Sequence, residues 1–318
     1  MLSTFALAYT ITILFLTFAF LYTWFKQRRQ VRPYRKYGLA AGGLLILFEV
    51  LLILTLPGVL NLMPFTTLVL VDGWAFLRIA AFTIAGIYFS MQIGHFGFPV
   101  LMRRFGLALP PPTAEPAITE AHTVQPAGSV PVSVGEPVMA AEVVAETTQQ
   151  PASATIQPVI EPKAFWLATS GVVVGALLFT ALLFKLTSPQ LSSAVRALTD
   201  AELAPYGISS AITLPVLLIV MQFAFAEEII FRLGLQNFLA KVFNWRAGKY
   251  WIAIGVAAAV WTFGHVGLIV PDWVKPAQIF PIGLALGWLY RKYGAESCIL
   301  AHTAFNVAGL FITPGLIS

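Results

Sequence analysis

A helix that crosses a bilayer needs about 20 mostly apolar residues. Eight stretches of this 318-residue chain come close to that need, at roughly 2–25, 39–56, 73–101, 164–186, 208–240, 250–270, 276–291 and 296–313. Inside hydrocarbon the backbone must satisfy its own hydrogen bonds, which leaves only helices and closed barrels. Runs of this length, without ten-residue alternation, point to helices. The expected fold is therefore all-α, a polytopic membrane protein with about eight transmembrane helices. Composition agrees: 58% of the residues are hydrophobic and 10% are charged, against about 25% charged in a soluble domain. The run at 208–240 is too long for a simple crossing, so it is expected to tilt or to leave the membrane in its last turns. The run at 276–291 is short, and Pro281 and Gly283 are expected to interrupt it.

The net charge of +5 belongs to topology and does not signal a nucleic-acid partner. Lys26, Arg28, Arg29, Arg32, Arg35 and Lys36 follow the first run, and Arg103 and Arg104 follow the third. Lys241, Arg246 and Lys249 follow the fifth, and Arg291 and Lys292 the seventh. Every second loop is basic, which under the positive-inside rule puts both termini outside and residues 105–163 in the cytoplasm. The expected location is a cell membrane, bacterial in type. The first run lacks a positive leading segment and a small-x-small cleavage site, so it reads as an uncleaved span. The single cysteine, Cys298, excludes an intrachain disulfide and reads as a packing residue.

Residues 105–163 are of a different kind. Between Pro110 and Pro162 the chain is rich in Pro, Ala, Val and Thr and carries no Lys, Arg, Phe, Tyr or Trp. Such a segment cannot bury enough surface to offset its ordering entropy and reads as a disordered linker, with His122 simply solvated. It divides the chain into a three-span N-terminal region, 1–104, and a five-span region, 164–318.

Ionisable residues inside membrane spans carry a functional hypothesis by default. In the N-terminal region these are Glu49, Arg78 and His95, isolated in sequence. Glu49 and Arg78 are expected to pair between the second and third spans, and His95 to cap a helix or meet headgroups. In the C-terminal region the polar residues form a set. Glu227, Glu228 and Arg232 lie on the fifth span, His265 on the sixth, and His302 and Asn306 on the eighth. A shared polar cavity would let groups from three helices satisfy one another.

Helix geometry distributes roles within the set. Glu228 and Arg232 are spaced i,i+4 and can form an ion pair. Glu227 lies about 100° further round the helix, free of that pair. His302 and Asn306 share a face. A carboxylate with an imidazole can activate water, and a second imidazole with an amide can stabilise an oxyanion. These are the parts needed to hydrolyse an amide. The same residues allow a zinc site of Glu227, His265 and His302, although no H-E-x-x-H signature is present. They also allow a purely structural polar network.

The order Glu-Glu-x-x-x-Arg, aromatic-x-x-x-His, His-x-x-x-Asn, each on a membrane helix, resembles the CPBP intramembrane proteases. That family includes type II CAAX prenyl endopeptidases and bacterial bacteriocin-processing or self-immunity proteins. The resemblance covers roughly residues 164–318. It implies an endopeptidase acting on a membrane-associated peptide or protein, with no cofactor in the metal-free version. By the same resemblance Glu227 activates water with His265 as partner, His302 and Asn306 form the oxyanion hole, and Glu228 and Arg232 support them. Trp261 stands where the family often has Phe. The residues themselves also permit a non-proteolytic scaffold or immunity protein, or a proton-coupled transporter.

Overall fold

With no water to satisfy N–H and C=O groups, each apolar run must close its own backbone bonds. The computed structural model of the chain, which describes residues 2–55, 65–95, 97–104, 161–193, 196, 213–312 and 315–317, shows this outcome. In chain order the helices are α1 (Leu2–Lys26), α2 (Arg35–Thr55), α3 (Phe65–Gln92), α4 (Pro99–Arg104) and α5 (Pro162–Thr187). Then come α6 (Leu214–Glu227), α7 (Asn237–Val242), α8 (Tyr250–Phe263), α9 (Val274–Tyr293) and α10 (Ala295–Ile312). A π-helix, Glu228–Gln236, joins α6 to α7. One antiparallel pair, β1 (Gln190–Leu191) with β2 (Ile269–Val270), sets Leu191 opposite Ile269.

This is an all-α polytopic membrane fold. Among the described residues six helical runs are long and apolar enough to cross: Leu7–Lys26, Arg28–Thr55, Leu70–Gln92, Pro162–Thr187, Leu214–Val242 and Ala295–Ile312. The other two of the eight apolar runs also form helices. However, α8 has only 14 residues, and α9 carries Lys275, Arg291 and Lys292. Large apolar side chains face outward, with Leu54, Leu167 and Leu186 each more than 70% exposed. Lipid is the solvent that makes such a surface stable.

Three details depart from the sequence reading. The third run breaks after Gln92, and Pro99 opens a separate helix. The ninth helix continues through Pro281 and Gly283 instead of breaking there, because the neighbouring helices pack against it. Gly283, for example, lets Ala258 and Trp261 approach its backbone. The over-long fifth run absorbs its length in π turns, whose i→i+5 bonds fit more residues into each turn. The linker lies outside the described residues except at its end, where Pro162 and Lys163 already belong to α5. Proline suits a first helical turn because its missing N–H would be unpaired there anyway.

The helices on the two sides of the linker pack into one unit. Phe20 of α1 stacks on Phe82 of α3 at 4.2 Å between centroids. It also meets Phe89 at 5.8 Å and Phe238 of α7 at 5.6 Å. Close helix approach depends on small residues, as is common between membrane helices. A Cβ on Gly86 of α3 would lie 2.6 Å from the Leu233 carbonyl oxygen, and one on Gly234 would lie 2.5 Å from the Phe82 ring. Glu49 accepts a hydrogen bond from Gln222 of α6, and among the described residues no ion pair joins it to Arg78. The expected pairing between the second and third spans is thus replaced by one between α2 and α6. His95, just past α3, donates its backbone N–H to the Ser90 carbonyl at 2.9 Å, as a capping residue does, and its ring lies 4.9 Å from that of Tyr250.

The close contact at Gly86 sets a test. Gly86→Ala is expected to destabilise the protein by about 1–3 kcal/mol through overpacking against Leu233. Gly171→Ala, where a Cβ meets nothing within 4 Å, is expected to be neutral or slightly stabilising. Thermal unfolding in detergent measures both.

Candidate active site

The stretch Glu227–Gly234 ends α6 and begins the π-helix. Widened turns of this kind recur at functional sites. Here every residue of the π segment is buried, including Glu228 and Arg232. An ionised group in such surroundings persists only with partners. Glu228 has two. Its Oε2 lies 3.3 Å from Arg232 Nε, and its Oε1 accepts a 2.8 Å hydrogen bond from His302 Nδ1 on α10. Arg232 places its guanidinium 4.4 Å from the centre of the Trp261 ring, and its Nη2 lies 3.5 Å from the Gly283 carbonyl.

Glu227 differs from its neighbour by exposure, its side chain being 22% accessible where that of Glu228 is sealed. Its Oε2 accepts a 2.8 Å hydrogen bond from the indole N–H of Trp261 and lies 3.8 Å from His302 Nε2. His302 therefore stands between the two carboxylates, one facing each ring nitrogen. Its ring meets Trp261 edge-on at 5.3 Å.

His265 lies just past α8, which stops at Phe263, so it is in the following turn and not within a helix reaching residue 270. The turn is permitted by Gly264 and by Gly267, whose φ is +84°. His265 Nδ1–H donates to the Trp261 carbonyl at 3.0 Å, which leaves Nε2 as an acceptor. Its ring packs edge-on against Trp261 at 5.1 Å. No hydrogen bond joins it to Glu227 among the described residues, though the carboxylate lies within electrostatic reach.

Asn306, one turn beyond His302 on α10, opens onto a cavity of about 720 Å³. The walls are mostly apolar, with Thr180, Lys275 and Gln278 as the other polar groups. Lys275 donates to Gln278 Oε1 at 2.8 Å, and Gln278 donates to Thr180 at 3.0 Å. Glu227, His265 and His302 do not line this cavity. The structure thus brings Glu227, Glu228, Arg232 and His302 into direct contact, links His265 to them through Trp261, and sets Asn306 on the adjoining wall.

The donor set also bears on zinc. One nitrogen of His302 is taken by Glu228 and one of His265 by a carbonyl. Among the described residues no three His, Cys, Asp or Glu side chains stand grouped as a metal ion requires. Cys298 is buried, its thiol directed at the Ala295 carbonyl. The residue that sequence reasoning undervalued is Trp261. It touches Glu227, Arg232, His265 and His302. Its departure from Phe was the available signal, because only indole carries an N–H to donate.

Two carboxylates and two imidazoles thus stand around one tryptophan inside a membrane bundle. Residues 209–308 match the family described as type II CAAX prenyl endopeptidase Rce1-like. The match spans under a third of the chain, agrees with the resemblance to the CPBP proteases and, at the level of that family, points to a membrane protease. No curated protein matches the chain, and no solved structure does.

The sealed pair yields a prediction. Arg232→Met leaves Glu228 buried without its cation and is expected to cost about 3–5 kcal/mol of stability. Glu228→Gln combined with Arg232→Met is expected to cost less than Arg232→Met alone, as thermal unfolding of both variants in detergent would show.

Proposed function

We propose that the protein is an intramembrane endopeptidase in which Glu227 is the base that activates water. The observation that carries this reading is the hydrogen bond from Trp261 to Glu227, which fixes the accessible carboxylate of the site beside His302. Glu227 takes a proton from a water molecule as its oxygen attacks the scissile carbonyl carbon, with His265 Nε2 as a second acceptor for that water. The developing oxyanion accepts from the Asn306 amide and from His302, a role that requires a proton on Nε2. When the C–N bond breaks, the Glu227 carboxylic acid returns its proton to the departing amine. Glu228 and Arg232 hold His302 and Trp261 in place and do not touch the reacting atoms.

The mostly apolar cavity beside Asn306 suits a substrate segment delivered from lipid. The reading is metal-free, although Nδ1 engagement of His302 and His265 leaves Nε2 of each ring able to ligate, so chelation decides it. It places both termini outside and residues 105–163 in the cytoplasm of a bacterial cell, following the alternation of basic loops.

The purified protein, incubated with a library of membrane-tethered peptides, is expected to cleave a subset. Glu227→Gln is expected to lower kcat about 10²–10⁴-fold, and Asn306→Ala about 10²–10³-fold. His265→Ala should also abolish cleavage while leaving the unfolding temperature intact. Exhaustive chelation should leave the rate unchanged, and a loss restored by zinc would favour the metal version. A folded wild type that cleaves nothing would favour a scaffold or immunity protein. Proton-coupled uptake into liposomes would favour a transporter.

A further inference from the structure

The matched segment begins at residue 209, yet the first helices of the chain reach the site. Tyr9 of α1 lies with its ring against Gly264, the residue before His265. A Cβ there would stand 2.9 Å from Tyr9 Cζ, the ring carbon that carries the hydroxyl. The same ring lies 6.1 Å from that of Phe231, one helical turn beyond Glu227. The hydroxyl end of Tyr9 is therefore held between the turn that carries His265 and the helix that carries Glu227. Glu227, Arg78 and Arg232 lie within electrostatic reach of that hydroxyl, and among the described residues no hydrogen bond joins it to them. Arg78 of α3 is in turn within electrostatic reach of Tyr9, and its buried Nε has no hydrogen-bond partner among the described residues. A cation placed there by chance would be expensive in a membrane. A neighbouring hydroxyl gives it a purpose.

We propose that Tyr9 is a positioning residue of the site: its hydroxyl, backed by Arg78, orients the Glu227 carboxylate toward the attacking water, so that the N-terminal helices complete the catalytic centre. This rests on the proteolytic reading above. In that role the phenol O–H turns to the carboxylate when water binds, beside the indole N–H of Trp261. Hydrogen bonds to charged groups are stronger than neutral ones, and two fixed donors leave a carboxylate less freedom than one.

The experiment uses the full chain in detergent, with the fastest-cleaved member of a set of acyl-anchored, quenched-fluorescent peptides. Tyr9→Phe keeps the ring on Gly264 and Phe231 and removes only the hydroxyl. It is expected to lower kcat about ten- to hundred-fold with KM unchanged and the unfolding temperature within a degree of wild type. Arg78→Met is expected to lower kcat likewise, with Arg78→Lys restoring part of it. An active wild type matched in kcat by Tyr9→Phe overturns the inference and leaves the proteolytic reading standing. A loss confined to KM or to thermal stability overturns it too, because that is what packing alone would give. A wild type that cleaves none of the peptides, or a Glu227→Gln variant as active as wild type, overturns the proteolytic reading and this inference with it.

Discussion

The arrangement of the site depends on one sealed ion pair. Glu228 and Arg232 are both out of reach of solvent, and neither could remain charged there alone. Their pairing fixes two further groups. The free oxygen of Glu228 orients His302, and the guanidinium face settles on Trp261. Trp261 then passes the constraint to Glu227 and His265. A pair with no access to substrate thus determines where the accessible groups stand. The pair acts through geometry more than through stability, since a buried ion pair often gives little more than a well-packed apolar substitute would.

A second constraint comes from below the site. Gln236 donates to the Tyr250 hydroxyl at 3.0 Å, and that hydroxyl donates to Asn237 at 3.0 Å. Asn237 also meets Tyr290, whose hydroxyl lies 3.4 Å from Ser90 of α3. These buried groups tie the π-helix to α3, α8 and α9. A buried polar network strengthens in a low-dielectric interior, and here only Gln236 Oε1 among its side-chain atoms lacks a hydrogen-bond partner among the described residues. Together with the aromatic cluster around Phe20, it makes the N-terminal helices part of the wall that supports the stretch Glu227–Gln236.

Much of this was legible in the chain. Each of the eight apolar runs contains helix among the described residues, six of them long and apolar enough to cross, because lipid enforces helical closure, and the i,i+4 spacing of Glu228 and Arg232 anticipated their contact. What sequence could not show depended on which neighbours arrive in space. Pairing Glu49 with Arg78 was a guess between two adjacent spans, whereas the actual partner, Gln222, comes from 173 residues away. The end of α8 at Phe263 was hidden because the apolar run continues to Val270. Periodicity does not mark a helix end when every face is apolar. Trp261 was visible as a residue, but its role as a junction required the convergence of three helices.

The nine-residue π-helix has a bearing on how this chain can vary. Its wide turns place Glu228 at one end, Arg232 in the middle and Gln236 at the other end, each facing its own set of neighbours. Removing a single residue would let the segment rewind to α geometry and rotate everything after it by about 100°. Gln236 and Asn237 would then swing away from the tyrosines that hold them. Related chains should accordingly differ in side chains along this stretch far more readily than in its length, so that an insertion or deletion there would mark a lineage that has abandoned this site.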